Sequence, residues 1–305
     1  MTLTAFFLII SSAFFHALWN AIAKKNKMTL AFYAAICIAS ASLWIQVQFW
    51  TPVDVLSLPM KYWIFVISSV IGDLIFYGWG LSLAYKSMDM SSAYPMMRSL
   101  PLIFIALATS LFGWGGKLGA GAICGIIIVI AGCIMMPLER FSDFKIGDYL
   151  SPKMFFILMV AIGTTNYTIC DSQAQKVLAN AVAEQNISKP VISMTFYSCR
   201  CILLSSTALA VTLLLKNERQ VWCEFIRERN WRPFIAGIIA SLTYITVLIA
   251  MNFVTNVTYV QLFRQVGLIF GVAFGIIALK ERCAIPKIFG VALIITGLVL
   301  TVIKF

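Results

Sequence analysis

Apolar runs long enough to cross a membrane, separated by short polar breaks, leave this chain few possible folds. The breaks fall at KKNKM, TPVDVLSLPMK, KSMDMSS, FGWGGK, PLERFSDFKIGDYLSPK, ANAVAEQNISKP, KNERQVWCEFIRERNWRP, TNVT and KERC. They delimit ten spans, at approximately 3–23, 29–50, 61–85, 91–112, 116–137, 153–178, 190–216, 231–253, 256–279 and 284–303. A helix rises about 1.5 Å per residue, so roughly 20 residues cross a hydrocarbon core about 30 Å thick. Backbone groups in lipid must be bonded internally, and runs of this length suit helices rather than barrel strands. Composition agrees: 61% of residues are apolar and 11% charged, where soluble chains carry about a quarter charged. The expectation is an all-α polytopic membrane protein with ten transmembrane helices, multi-pass in the cell inner (plasma) membrane. No basic residue precedes the first run, so a retained helix is expected there rather than a cleaved signal.

The formal charge of +11 sits mostly in short loops between spans. That placement suits contacts with anionic headgroups of the lipid bilayer, and no nucleic-acid partner is expected. Loops after the odd-numbered spans hold 15 of the 23 Lys and Arg residues, which predicts a cytoplasmic odd-loop face and external termini. The eight cysteines lie almost entirely in apolar segments without a CxxC pair, as small buried side chains do. No metal or other cofactor is expected.

An internal repeat divides the chain. RSLPLIF (98–104) in the fourth span returns as RQVGLIF (264–270) in the ninth, and GIIIVIAG (125–132) in the fifth returns as GVALIITG (290–297) in the tenth. The first span ends ALWNAIAKK and the sixth TICDSQAQK, which sets Asn20 against Asp171. These matches predict two five-helix halves, 1–138 and 153–305, joined by a loop at 139–152. An odd number of helices per half sends the second half in from the opposite face, so the repeats are inverted. That plan recurs in secondary transporters, with the site between the halves near the bilayer midplane.

Six ionisable residues lie well inside the spans: His16, Asp73, Arg98, Asp171, Arg200 and Arg264. Each charge costs about 2.5–3.5 kcal/mol at a helix centre, so these side chains must face the interior and meet partners, water or substrate. Arg98 and Arg264 each lie about ten residues past a turn, roughly 15 Å deep, and so arrive near the midplane from opposite faces. Asp73–Arg98 and Asp171–Arg264 are the expected pairs, either as fixed clamps or as clamps that open to substrate. Arg200 has no counterpart in the first half, and is either a substrate ligand or the partner of a carboxylate. Three Arg against two Asp leave one positive charge, which an anionic or zwitterionic group would balance. His16, the one histidine, is either a helix–helix hydrogen-bonding group or a participant in proton coupling or substrate binding.

Aromatic side chains are plentiful near these groups. Trp19, Tyr77, Tyr94 and Tyr244 join Asn20 and the six ionisable residues as candidate cavity-lining positions, since ring faces attract ammonium groups. Pro95 and Pro101 bracket Arg98 and loosen the helix there, and Gly267 stands where Pro101 does in the second copy.

Three stretches together resemble the drug/metabolite transporter superfamily, in particular its EamA-like members. AFFHALWNAIAKK looks like that family's first helix, SSAYPMMRSLPLIF its fourth, and LKERCAIPKIFGVALIITGLVL its terminal signature with Glu281 as the acid. The likeness covers nearly the whole chain. FGWGGK departs from it by lacking Gly-Glu, and Lys280 stands where Gly is usual. The resemblance implies ten helices in two inverted repeats, a central cavity, and transport of amino acids, sugars, nucleotide sugars or amines.

The expected function is secondary transport, by alternating access, of a small polar metabolite. Anionic or zwitterionic compounds of amino-acid or aminophosphonate kind compete with quaternary amines and other organic cations or drugs. Protons or a counter-substrate are the expected coupling partners, since no nucleotide-binding loop is present. An intramembrane lipid-headgroup enzyme is the alternative class. One histidine, no HExxH and no clustered carboxylates on one helix weigh against it, and no enzymatic activity is expected.

Overall fold

The computed structural model describes residues 3–23, 29–87, 90–135, 138–147, 152–270, 273 and 284–302, the side chains of 17–23, 85, 90–96 and 302 excepted. Trp19, Asn20, Tyr94 and Glu281 therefore lie outside the described side chains. Among the described residues every regular element is helical. The elements are α1 (Leu3–Ala23), α2 (Leu30–Trp44), α3 (Met60–Ile71), α4 (Gly80–Ser87), α5 (Met90–Leu111), α6 (Ala120–Met135), α7 (Met154–Ala181), α8 (Lys189–Leu214), α9 (Lys216–Arg227), α10 (Arg232–Met251), α11 (Val257–Phe263) and α12 (Ile285–Val302). Five helical stretches are long and apolar enough to cross a membrane: Leu30–Trp50, Met60–Ala84, Met154–Ala181, Lys189–Leu214 and Arg232–Met251. Shorter apolar helices accompany them, and the chain is accordingly read as a membrane protein.

Local sequence sets the helix ends. Thr29 opens α2, its hydroxyl accepting from the Phe32 N–H at 3.1 Å, and Glu218 on α9 accepts from the Ala31 N–H at 2.7 Å. Proline at the first positions of α8 and α10 sacrifices only an N–H that the helix start leaves unpaired. The outer faces stay apolar: Met60, Ile64, Ile67, Ile71, Ile75 and Trp79 form an exposed stripe at helical spacing. On a soluble protein such a stripe would be an association surface. Here it is where lipid belongs.

The principal packings are α6 on α12, α1 on α10, α2 between α8 and α10, α3 on α7, and α5 on α7. The glycine motifs explain the first of these. A Cβ on Gly125 would lie 2.5 Å from the Gly297 carbonyl oxygen, and one on Gly297 would lie 2.6 Å from that of Gly125. The two backbones touch where neither has a side chain.

Three local features differ from expectation. The polar segment 216–227, expected as a break, folds into the amphipathic helix α9. Its apolar face is docked, with Phe225 edge-on to Phe32 and Trp222 Nε1 donating to Thr212 at 3.0 Å. The third span is not a plain α-helix, since between α3 and α4 residues Gly72–Trp79 adopt π-helical hydrogen bonding. The ninth span, expected as continuous over 256–279, is interrupted. α11 ends at Phe263, and the chain makes tight i→i−3 bonds from Gln265, Gly267 and Leu268 to Leu262, Arg264 and Gln265. Gly267 at this break lies against Ala13 and the Arg98 guanidinium, where a Cβ would come within 3.1 Å of Arg98 Nη2.

Candidate functional site

α3, with its π-helical continuation, packs along α7, and α8 lies against both. Ser69 on α3 and Asp73 in the π-helical segment are four residues apart, on the side facing Asp171 of α7 and Arg200 of α8. Arg200 uses two edges of its guanidinium: Nη2 lies 2.6 Å from Asp73 Oδ2, and Nε lies 3.1 Å from Asp171 Oδ1. The same Nε donates to Ser69 Oγ at 2.9 Å, and the Ser69 hydroxyl donates in turn to Asp171 Oδ1. The outer carboxylate oxygens are also occupied. Tyr33 donates to Asp73 Oδ1 at 2.5 Å, and Tyr244 donates to Asp171 Oδ2 at 2.6 Å. Charge-assisted bonds of this kind are the strong ones, and every carboxylate oxygen here accepts at least one.

This arrangement corrects the expected pairs. Asp73 does not meet Arg98, nor Asp171 Arg264; both aspartates meet Arg200. The reason is helix packing: α8 presents Arg200 between the two carboxylates, and a forked guanidinium can bridge two acceptors where a point charge cannot. A role for Arg200 as an unengaged ligand gives way to the alternative, a partner of carboxylates.

The repeated arginine motifs do meet, through backbone. Arg98 Nη2 donates to the Arg264 carbonyl at 3.0 Å, and Gln265 Nε2 donates to the Arg98 carbonyl at 2.9 Å. Each motif thus gives a side chain to the other's main chain. The Arg264 carbonyl, which also accepts from the Gly267 N–H in the irregular stretch 264–268, thus takes a second donor from the arginine. Arg264 itself points elsewhere. Its guanidinium has Gln261 Oε1 at 3.3 Å, and among the described residues no carboxylate comes within ion-pair distance of it.

Arg264 lines a cavity of about 110 Å³ together with His16, Asp73, Arg200 and the tyrosines 33, 77, 167, 197 and 244. The rings are contiguous: Tyr33–Tyr77, Tyr77–Tyr167, Tyr167–Tyr244 and Tyr244–Tyr197 centroids lie 6.1, 5.6, 6.0 and 5.7 Å apart. The Arg200 guanidinium lies 5.7 Å from the Tyr167 centroid and 5.5 Å from that of Tyr244, so both rings bear a cation. Among the described residues no group of three or more His, Cys, Asp or Glu side chains is placed to hold a metal.

The cavity's lining comes from α1, α2, the π-helical segment and α4, the middle parts of α7, α8 and α10, and Arg264. Polar contacts also tie the helices together away from this cavity. One turn beyond Asp171, Gln175 Oε1 accepts from Ser193 at 2.7 Å and from Asn252 Nδ2 at 2.9 Å, tying α7, α8 and the end of α10 together. Nearby, Asn256 Nδ2 donates to the Gly116 carbonyl at 2.9 Å, and Lys176 Nζ to the Trp114 carbonyl at 3.0 Å.

Of the residues singled out from sequence, His16, Asp73, Tyr77, Arg200, Tyr244 and Arg264 line this cavity. Asp171 lies beneath it within the arginine network. Arg98 is one layer behind, on the backbone at Arg264. Tyr33, Ser69 and Tyr197 were not among the expected site residues. Ser69 to Asp73 at i, i+4 and Tyr197 to Arg200 at i, i+3 were the available signals, since polar residues one turn from a buried charge share its face.

No family model and no curated protein matches this chain. Among solved structures, 28 chains match. One crystal structure superposes with a TM-score of 0.69 at 17% identity, covering 97% of this chain and 94% of its own. A likeness at that identity carries the fold alone.

Proposed function

We propose that this protein is a secondary carrier for a small polar metabolite, anionic or zwitterionic, working by alternating access between two inverted five-helix halves, 1–138 and 153–305. The observation that carries the reading is a cavity lined from both halves, with Arg264 in its wall beside a neutral partner. A static polar core would not leave a cationic group facing open volume. A carrier needs such a group for its substrate.

Helix packing supports the repeat. If the five helices of one half correspond in order to those of the other, several of the main contacts have a counterpart. α6 on α12 and α2 on α8 each map onto themselves. α1 on α10 maps onto α7 on α3, and the clasp between the Arg98 and Arg264 motifs maps onto itself. Irregular helices beside the cavity point the same way, because broken helices line substrate sites in many transporters. The EamA-like resemblance agrees with this reading, though Glu281 in its terminal signature lies outside the described residues.

The test is a thermal-shift screen of the purified protein in detergent against amino acids, phosphonates, sugars and amines. The expected result is stabilisation by one anionic or zwitterionic class, abolished by Arg264→Gln. Stabilisation by amines alone that survives Arg264→Gln would reverse the charge preference and sink the reading.

A further inference from the structure

The cavity carries two poles of opposite charge. Asp73, Asp171 and Arg200, all buried, form a group with a net charge of one negative when both carboxylates are ionised. Arg264, on the interrupted ninth span, faces the same space with one positive charge and a neutral hydrogen-bond partner. A purely anionic ligand would gain at Arg264 and face the negative group; a purely cationic one would meet the reverse.

We infer that the cavity binds a zwitterion, with its carboxylate or equivalent anionic end on Arg264 and its ammonium end on the tyrosine wall beside Asp73. The inference deepens the carrier reading and rests on it for the fate of the ligand. Arg200 lies over Tyr167 and Tyr244, while Tyr33, bonded to Asp73, and its ring neighbour Tyr77 make up the wall beside Asp73. Tyr33 donates its proton to Asp73, which makes its phenolic oxygen a better acceptor. Ring faces attract both primary and quaternary ammonium groups, and tyrosine cages are well suited to them. Size sets a further limit. A water needs roughly 10–15 Å³ of such volume, so about 110 Å³ admits on the order of ten waters or a compound of comparable size. An amino acid or betaine meets that limit, and a nucleotide sugar exceeds it severalfold.

The experiment measures equilibrium binding to the full-length protein in detergent with two matched series. Glycine betaine is compared with 3,3-dimethylbutanoate, which lacks the positive charge, and with choline, which lacks the negative one. Alanine is compared with propionate and ethylamine. At least one zwitterion should bind ten-fold or more tightly than both of its single-charge analogues. Arg264→Gln should remove that advantage over the cation, and Tyr77→Leu the advantage over the anion. The wild-type series stands even if a variant fails to fold. Equal binding of a zwitterion and either analogue, or no binding by any of the six, overturns the inference. Zwitterion binding without flux in proteoliposomes would instead overturn the carrier reading and leave the binding inference standing.

Discussion

Replacing Arg200 by methionine tests whether one guanidinium neutralises two buried carboxylates. Arg200 is 3% exposed and Asp171 is fully buried, so the variant strands the Asp171 carboxylate away from water and leaves that of Asp73 in the cavity wall without its cation. Breaking a buried ion pair by deleting one partner costs roughly 3–5 kcal/mol. Two carboxylates are orphaned, but Tyr33 still donates to one, and Ser69 and Tyr244 to the other. Those bonds hold the expected cost within that range rather than at its double. The matching variant Arg200→Met, Asp73→Asn, Asp171→Asn removes every charge at similar shape. Replacing a whole buried network by neutral groups is close to neutral, so the triple variant should recover to within about 1–2 kcal/mol of wild type. Unfolding in mixed micelles by SDS titration, read by tryptophan fluorescence, measures both. A single-variant cost below about 1 kcal/mol, or a triple variant no better than the single, would refute the network as described.

Tyr33→Phe removes only the hydroxyl bonded to Asp73 and should cost about 1.5–3 kcal/mol in the same assay, the usual value for a bond to a charged group. Gly125→Val forces a side chain against the Gly297 carbonyl and should destabilise the α6–α12 contact by about 1–3 kcal/mol, visible as loss of amide protection confined largely to those helices. Glu218→Gln weakens the bond from α9 to the Ala31 N–H, so the first turn of α2 should exchange faster at a cost of about 0.5–2 kcal/mol.

The helical runs were legible because lipid imposes both their length and their apolarity. The predicted first span, 3–23, and α1, Leu3–Ala23, coincide, and the glycine pairs spaced seven apart do meet. The paired arginine motifs were legible too, because arginine is rare in such runs. What each arginine meets was not. Arg98 lay near Asp73 by depth along neighbouring spans, yet the azimuth of each helix decides partners, and α8 brought Arg200 between the carboxylates instead. The π-helical turns at Gly72–Trp79 and the break after Phe263 were also hidden. Both change backbone hydrogen-bond register without changing hydrophobic pattern, and Gly72, Gly78 and Gly267 offered the only hint. The amphipathic α9 was passed over because its charged residues dominate the local composition.

The most direct measurement of the central claim is counterflow in proteoliposomes. Vesicles loaded with unlabelled alanine and glycine betaine are diluted into trace amounts of each labelled compound. The carrier account predicts uptake that saturates, is accelerated by internal substrate and disappears in Arg264→Gln. Flux that rises linearly with concentration, or that ignores internal substrate, would contradict it.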